Sequence, residues 1–384
     1  MLPTPLYFDY AATTPVDKRV IEAMMACLGR HAHFGNPAST GHAHGQAARA
    51  LVDQARMQVA RCVGAEAQDI IWTSGATESN NLALKGIVQG AGERRHIITS
   101  VLEHKAVLDT VAELESQGHS VTYLKPDTNG LIQPLAVQQA LRPETALVSL
   151  MAVNNELGTL TDIATIGTLV REHGALFHVD AAQAIGKLAI DLQRMAIDLM
   201  SFSAHKVYGP KGIGALYVGA RARLGLRAQM HGGGHEGGLR SGTLATHQIV
   251  GMGSAFALAS RPGDAEHQRI ERLAGRLLDG LLGMPGVSLN GCAVERIAHT
   301  LNLRIDSFGF NSATLAGELA LSSTSACNSA ANTPSHVLLA LGLNESQARN
   351  SVRVSLGRYT TEAEVDTALE VFARALGSAS ATPW

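Results

Sequence analysis

The chain has 384 residues, of which 17% are charged, and its formal net charge is -2 at pH 7. This balance lacks the basic excess that binds nucleic acids or anionic membranes, so we expect neither as a partner. The length suffices for one large domain and a smaller one. The four cysteines form no CxxC pair, which argues against a disulfide framework and a four-thiolate zinc site.

The first segments indicate a protein without membrane targeting. No apolar run has membrane-spanning length and residues 1–5 lack the features of a signal peptide, so we expect a cytoplasmic protein. Residues 6–10 are strand-like, and a helix is predicted at about 16–28. The loop at 31–45 carries four histidines but no carboxylate or cysteine. We therefore predict no metal there, and favour a polar binding loop or a subunit contact.

A regular alternation of strands and helices follows a predicted helix at 46–62. Because the strands are apolar and the helices amphipathic, the fold class is α/β, with a mostly parallel sheet covered on both faces. Functional sites in such sheets lie beyond the carboxyl ends of the strands. The predicted strands are 70–73, 96–101, 121–124, 146–150 and 176–179, and the helices named between them are 78–88 and 106–117.

Two of these strand ends carry residues suited to an anionic cofactor. Small residues and hydroxyls from Ser74 to Asn81 open a helix, and its free N–H groups with the Thr77 hydroxyl suit a phosphate. A plain helix cap supported by Glu78 explains the same residues equally well. Asp180 ends a buried strand and needs a partner to stay ionised, such as a protonated ring nitrogen, unless it caps a helix.

Lys206 lies between a strand pattern and a glycine-rich turn. Its neighbours Ser203 and His205 and several small residues favour a pocket in which partial desolvation keeps the amine neutral and able to condense with an aldehyde. An ordinary loop lysine is the alternative. The glycine-rich run 232–237 fits G-x-G-x-x-G by letter, but no strand precedes it and no βαβ unit follows, so we reject a dinucleotide site. It is interpreted instead as a flexible loop that leads to a helix predicted at 246–258.

The segment 261–263 marks a domain boundary, and the predicted helices and strands follow a different order in the rest of the chain. Helices are predicted at 265–282 and near 312–319, and strands at 287–289, 300–305 and 350–358. Cys327 lies in a run of small residues, where a thiol is accessible and is a candidate nucleophile. Arg353 on the last strand is suited to bidentate capture of a carboxylate, or else is a surface arginine.

A reactive lysine, a strand-end aspartate, a phosphate-accepting helix terminus and a ring stacker such as His104 together describe a pyridoxal phosphate (PLP) site. At this point the chain strongly resembles the cysteine desulfurases, a group of class-V aminotransferases with the fold-type-I PLP-dependent architecture. The resemblance extends over nearly the whole chain. Its specific motifs are 34–39 (FGNPAS), 73–78 (TSGATE), 103–105 (EHK), 153–156 (VNNE), 180–183 (DAAQ), 203–206 (SAHK) and 325–327 (SAC).

The resemblance implies a large PLP-binding domain at 15–260 with a seven-stranded sheet, and a smaller α+β domain at 1–14 and 261–384. Lys206 would bind the cofactor covalently and move protons, and His104 would stack on the ring and assist proton transfer. Arg353 would hold the substrate carboxylate. The residues implied to contact the cofactor are Ala76, Thr77, Asn155, Asp180, Gln183, Ser203, His205 and, from the neighbouring subunit of a homodimer, Thr243. Asn155 would also contact the substrate.

The implied reaction converts L-cysteine to L-alanine, with the sulfur transferred to Cys327 as a persulfide. The sulfur would pass to a protein acceptor, with an iron-sulfur scaffold as the first expectation and tRNA thiolation or another sulfur pathway behind it. A selenocysteine lyase or another class-V aminotransferase shares the Lys206 and Asp180 parts, and a non-catalytic persulfide carrier shares only Cys327. The chain departs from the family at Gly237, where an arginine is usual, and in lacking a longer C-terminal tail.

Overall fold

A computed structural model describes residues 4–259, 261–307, 310–323 and 333–380. The strands are β1 (Leu6–Tyr7), β2 (Ile70–Thr73), β3 (His96–Ser100), β4 (Ser120–Leu124), β5 (Thr145–Met151), β6 (Leu176–Asp180), β7 (Leu199–Ser203), β8 (Gly214–Val218), β9 (Val287–Leu289), β10 (Thr300–Ile305), β11 (Leu319–Ala320), β12 (Ser322–Ser323) and β13 (Ser351–Ser355). The helices are α1 (Lys18–Met25), α2 (Ala43–Val63), α3 (Ala76–Gly90), α4 (Lys105–Ser116), α5 (Pro134–Ala140), α6 (Ile163–His173), α7 (Ala220–Arg223), α8 (Thr246–Ala257), α9 (Ala265–Leu282), α10 (His336–Ala340), α11 (Glu345–Arg349) and α12 (Glu362–Ser380).

A seven-stranded sheet in the order β2-β8-β7-β6-β5-β3-β4 forms the centre of the larger part. All neighbours pair in parallel except β8, which is antiparallel to both β2 and β7. Every residue of β5 is buried, as expected for a strand covered on both faces. The predicted α/β class with a mostly parallel sheet is confirmed. Strand β8 was not predicted, because the glycine-rich turn before it masks the start of its apolar run.

A second hydrophobic core lies around a four-stranded antiparallel sheet in the order β12-β13-β10-β9. Leu277 of α9, Leu303 of β10 and Phe372 of α12 are buried in it. Strand β1 pairs in parallel with β11, so the start of the chain joins this part. Val337 and Leu338 of α10 pack against the core of the large sheet instead. The domain bounds taken from the resemblance stay a prediction.

The helix predicted near 312–319 is wrong. Residues Ser312–Leu315 form a single 3-10 turn, whose first N–H groups are capped by the Asn311 side chain. The following residues Leu319 and Ala320 pair with the chain start as β11. A short partner strand at the beginning of the chain is a non-local contact, which the local apolar pattern does not contain. None of the described helices has both the length and the apolarity to cross a membrane.

His178 is a fully buried polar side chain in the central strand β6. Its Nδ1 lies 2.8 Å from the Ser149 hydroxyl on β5, and its Nε2 lies 2.9 Å from the Ser201 hydroxyl on β7. The ring therefore joins three adjacent strands across the middle of the sheet. Burial lowers the pKa of His178 from 6.5 to about 4, so the folded protein holds this ring neutral.

We expect His178 to make the free energy of unfolding depend on pH. The unfolded ring takes up a proton as the pH falls below 6.5 while the folded ring resists it, so stability present above 6.5 is lost on acidification, by about 2 kcal/mol at pH 5. In His178→Gln the decrease in stability between pH 7.5 and pH 5 should be smaller by that amount. Urea unfolding at both pH values measures it, with exposed His31→Gln as control. Equal decreases in wild type and His178→Gln would contradict this account.

Candidate active site

A cavity of about 460 Å³ opens at the carboxyl edge of the large sheet. The strands β2, β3, β5, β6 and β7 run in the same direction, so their ends meet at this edge. Most of the residues predicted for the site line it, although they come from five separate segments. They are Ala76, Thr77, His104, Asn155, Asp180, Gln183, Ser203, His205 and Lys206.

The α3 N-terminus forms one end of the cavity. Its N-cap residue, Gly75, provides no side-chain cap, so of the helix-cap alternative only the acidic support from Glu78 is present. The Glu78 carboxylate instead accepts a hydrogen bond from the backbone N–H of Ser74 over 2.7 Å. A Cβ atom at Gly214 on β8 would lie 2.6 Å from the Gly75 Cα, so glycine permits this close approach. The N–H groups of the first α3 turn are thus left for an anion.

Asp180 lies at the other end, at the tip of β6. Its side chain is 6% exposed, and it accepts hydrogen bonds from Asn80 Nδ2 over 2.7 Å and from the backbone N–H of Ala182 over 2.9 Å. Within the described residues no lysine, arginine or histidine forms an ion pair with it. A buried carboxylate without a cation fits a protonated ring nitrogen supplied by a ligand. This observation agrees with the residues expected for PLP.

Lys206 closes the 3-10 turn that follows β7. Its Nζ donates to the Ala11 backbone carbonyl over 3.0 Å, and Gln183 Nε2 donates to the same oxygen over 2.7 Å. The preceding residue, His205, places Nδ1 3.1 Å from the Thr13 hydroxyl. Burial, with the positive charges of Lys206 and Lys211, lowers the pKa of His205 to about 4, so its imidazole is neutral near pH 7.

His104 caps the N-terminus of α4 with its own ring. Nδ1 accepts from the backbone N–H of Ala106 over 3.1 Å, so in the neutral ring Nε2 carries the proton. Desolvation lowers the pKa of His104, Asp180 opposes that shift and Lys206 adds to it. The ring is accordingly a neutral imidazole at the mouth of the cavity, able to stack on a planar ligand.

Arg353 is placed beside the site but outside the cavity lining. It is 3% exposed on β13, and its Nη1 donates to the Asn155 carbonyl over 2.9 Å. Its Nη2 donates to Asp9 Oδ1 over 2.8 Å and to the Ser322 hydroxyl over 2.7 Å, while Nε has no partner in the described part of the chain. The alternative that Arg353 is a surface arginine is therefore wrong. Capture of the substrate carboxylate by Arg353 stays a prediction.

The two remaining predicted residues differ, because the structure describes only one of them. Thr243 is exposed and does not line it. Cys327 lies outside the described residues. The sequence reasoning also missed Asn80, the hydrogen-bond partner of Asp180. Its position within α3 four residues after the first helical residue was available as a signal, because that spacing returns to the same face of a helix.

The segment that carries Thr243 is held by two ion pairs. Glu236 accepts from both terminal nitrogens of Arg56 over 2.7 and 2.8 Å and from the backbone N–H of Trp72 over 2.9 Å. Glu236 has a left-handed backbone with φ 53°, and its side chain is 3% exposed. Arg240 donates to Glu78 over 2.8 Å, which connects the segment to the α3 N-terminus. A flexible loop was expected here, but the ion pairs of Glu236 and Arg240 hold the segment at two points.

The chain is similar to known proteins over nearly its whole length. The family model for the class-V aminotransferases matches residues 6–368, so the chain belongs to that family. The cysteine desulfurase IscS of Azotobacter vinelandii is 55% identical over 375 residues, which are 97% of this chain and 93% of that protein. The cysteine desulfurase IscS of Acinetobacter baumannii (strain AYE) is 56% identical over 370 residues, which are 96% of this chain and 91% of that protein.

Solved structures show the same likeness. A structure described as a NifS-like protein has a TM-score of 0.89 at 35% identity and covers 98% of this chain and 100% of its own. The structure of SspA in complex with cysteine has a TM-score of 0.82 at 42% identity and covers 93% of this chain and 100% of its own. The resemblance to cysteine desulfurases noted in the sequence is confirmed.

Replacing Glu236 should destabilise the protein strongly. Glu236→Ala leaves the Arg56 guanidinium unpaired in a site where it is 14% exposed, and we expect a loss of about 3–5 kcal/mol in the free energy of unfolding. The matched control is Asp53→Ala, which removes the partner of Arg49 from an exposed ion pair and should cost under about 1 kcal/mol. Chemical denaturation of the two variants gives both values. Similar losses would show that the Glu236 pair does not anchor the segment.

Proposed function

We propose that the chain is a PLP-dependent cysteine desulfurase that transfers the sulfur of L-cysteine to Cys327. One observation carries the proposal for this cavity: a buried carboxylate, Asp180, has no cation in the described structure and shares the cavity with Lys206 and an open helix N-terminus. Relatives named as cysteine desulfurases over nearly the full length of the chain support the reaction.

Each end of the cavity has a part in holding the cofactor. The N–H groups at the start of α3, with Thr77, Ser203 and His205, bind the phosphate, and Asp180 pairs with the pyridine nitrogen. The chemistry that PLP supplies when bound is stabilisation of negative charge at the Cα of an amino acid. Lys206 provides the amine that attaches the cofactor, and its contact with the Ala11 carbonyl keeps that amine within the cavity.

The remaining steps use residues of this chain. Lys206 and His104 exchange the protons at the substrate carbon atoms, and the depressed pKa of His104 leaves its ring neutral for this task. The Cys327 thiolate attacks the sulfur of L-cysteine, so that an S–S bond forms as the C–S bond breaks. The carbon skeleton takes up a proton and leaves as L-alanine. The sulfur stays on Cys327 as a persulfide, and atoms and charge balance without an added oxidant.

The partners follow from the same proposal. A protein acceptor receives the persulfide sulfur, and iron-sulfur cluster assembly is the acceptor pathway that the relatives' names favour. A homodimer brings Thr243 to the neighbouring subunit's phosphate site. Exposed apolar side chains along α1 and the loop after it, Ile21, Met25, Leu28 and Phe34, support such a contact. The free thiols Cys27, Cys62 and Cys292 suit a reducing, cytoplasmic compartment.

Cys327→Ser tests the sulfur transfer. We expect the variant to bind PLP normally but to release less than about 1% of the wild-type sulfide from L-cysteine in the presence of a thiol reductant, because a hydroxyl is a far poorer nucleophile than a thiolate. Alanine and sulfide are measured in parallel, with Cys62→Ser as the control thiol. Turnover by Cys327→Ser at the wild-type rate would favour another class-V reaction. A wild-type protein that takes up no PLP would favour a persulfide carrier.

Arg353→Lys tests capture of the substrate carboxylate. The lysine keeps the charge but loses the planar pair of donors, so we expect the KM for L-cysteine to rise about 10- to 100-fold with a smaller change in kcat. Arg304→Lys on the adjacent strand β10 is the matched control, since that arginine pairs with Asp306 near the surface. An unchanged KM together with a lower melting temperature would make Arg353 a structural residue only.

A further inference from the structure

Lys187 is a lysine next to the site that the mechanism above does not use. It follows Gln183 by four residues in the turns after β6, and its Nζ donates to Gln183 Oε1 over 2.9 Å. It forms no ion pair with any carboxylate among the residues that the structure describes. Burial and the positive charges of Lys206 and Arg353 lower the pKa of Lys187 to about 7. An amine donates hydrogen bonds in both protonation states, so the contact with Gln183 does not depend on that equilibrium.

The Gln183 amide is held at both of its ends. The side chain is 4% exposed, its oxygen accepts from Lys187, and its nitrogen donates to the Ala11 carbonyl over 2.7 Å. An amide nitrogen carries two hydrogens, and the second has no partner in the described part of the chain. Because Gln183 lines the cavity, this hydrogen is available to an acceptor on a ligand.

We propose that Lys187 is a positioning residue that fixes the orientation of the Gln183 amide, so that the cavity is offered an N–H donor and not a carbonyl oxygen. The inference rests on the proposed function, since the acceptor that suits this donor is the phenolic oxygen of PLP. An amide with the opposite orientation would place its oxygen against that acceptor and against the Ala11 carbonyl, and both contacts would repel.

The Ala11 carbonyl connects the orientation of the Gln183 amide to the position of Lys206. The Ala11 oxygen accepts from both Gln183 Nε2 and Lys206 Nζ, so the amide and the cofactor lysine occupy neighbouring positions on one acceptor. If Lys187 is removed, Gln183 Oε1 loses its donor in a position almost closed to water, and only the contact with the Ala11 carbonyl still orients the amide. Lys187 therefore acts on the cavity through Gln183 and need not touch the ligand.

Lys187→Met removes the donor while keeping an unbranched side chain. The apo-protein should fold with a melting temperature close to that of wild type, because losing an unpaired charge from a desolvated site is not destabilising. Its PLP dissociation constant, measured by titrating apo-protein and following cofactor absorbance, should rise about tenfold, as for one lost hydrogen bond to a ligand site. Exposed Lys125→Met should leave the constant unchanged.

Two further variants separate positioning from general disturbance. Lys187→Arg keeps donor hydrogens, so PLP affinity should stay within about twofold of wild type. In a Gln183→Ala background, Lys187→Met should weaken PLP binding by no more than about twofold, because its effect passes through Gln183.

The outcomes distinguish this inference from the proposed function. Wild-type protein that binds no PLP refutes the function itself. Wild-type binding with an unchanged constant in Lys187→Met refutes only the positioning by Lys187. An equal loss in Lys187→Met and Lys187→Arg, or an undiminished loss in the Gln183→Ala background, also refutes it, since either result means that Lys187 acts without Gln183.

Discussion

The site depends on a carboxylate buried where a central parallel strand ends. Asp180 is kept in place by Asn80 from α3 and by the backbone N–H of Ala182, while no basic side chain of the described structure neutralises it. Desolvating an unpaired carboxylate costs free energy that the fold must offset, and a cationic ring nitrogen offsets it. A ligand with such a nitrogen would complete the site, and the proposed attachment at Lys206 would set which end of that ligand is reactive.

The start of the chain connects this edge to the second core. Thr14 donates to the His205 carbonyl with both its N–H and its hydroxyl, and Ala11 accepts from Lys206 and Gln183. Asp17, the N-cap residue of α1, pairs with Arg358 just after β13 over 2.6 Å. The Arg358 guanidinium also lies 4.2 Å from the Tyr208 ring centroid. The segment 11–17 therefore fixes both the position of Lys206 and the path of the chain after β13.

Much of the site was predictable because its residues follow strands whose direction the alternating pattern reveals. Thr77, His104, Asn155 and Asp180 each come just after an apolar strand, and parallel strands end at one edge. Lys187 was not predicted because its contact with Gln183, four residues earlier, depends on how the turns after β6 fold. Asn80 and the pair of Arg56 and Glu236 were not predicted, because each has a partner far along the chain. The 3-10 turn at 312–315 was mistaken for a helix for the same reason: its continuation pairs with β1.

By itself the sequence determined the α/β class, the strand ends and the chemical groups at the site, since periodicity and residue type are local properties. Only the tertiary structure decided which polar atoms are satisfied and which are left for a ligand. Local patterns cannot show that Arg353 is enclosed by Asp9, Ser322 and Asn155, or that one carbonyl, that of Ala11, accepts from two site residues. Except for the Ser322 contact, those facts depend on hydrogen bonds between segments separated by more than a hundred residues, which form only when both cores are packed.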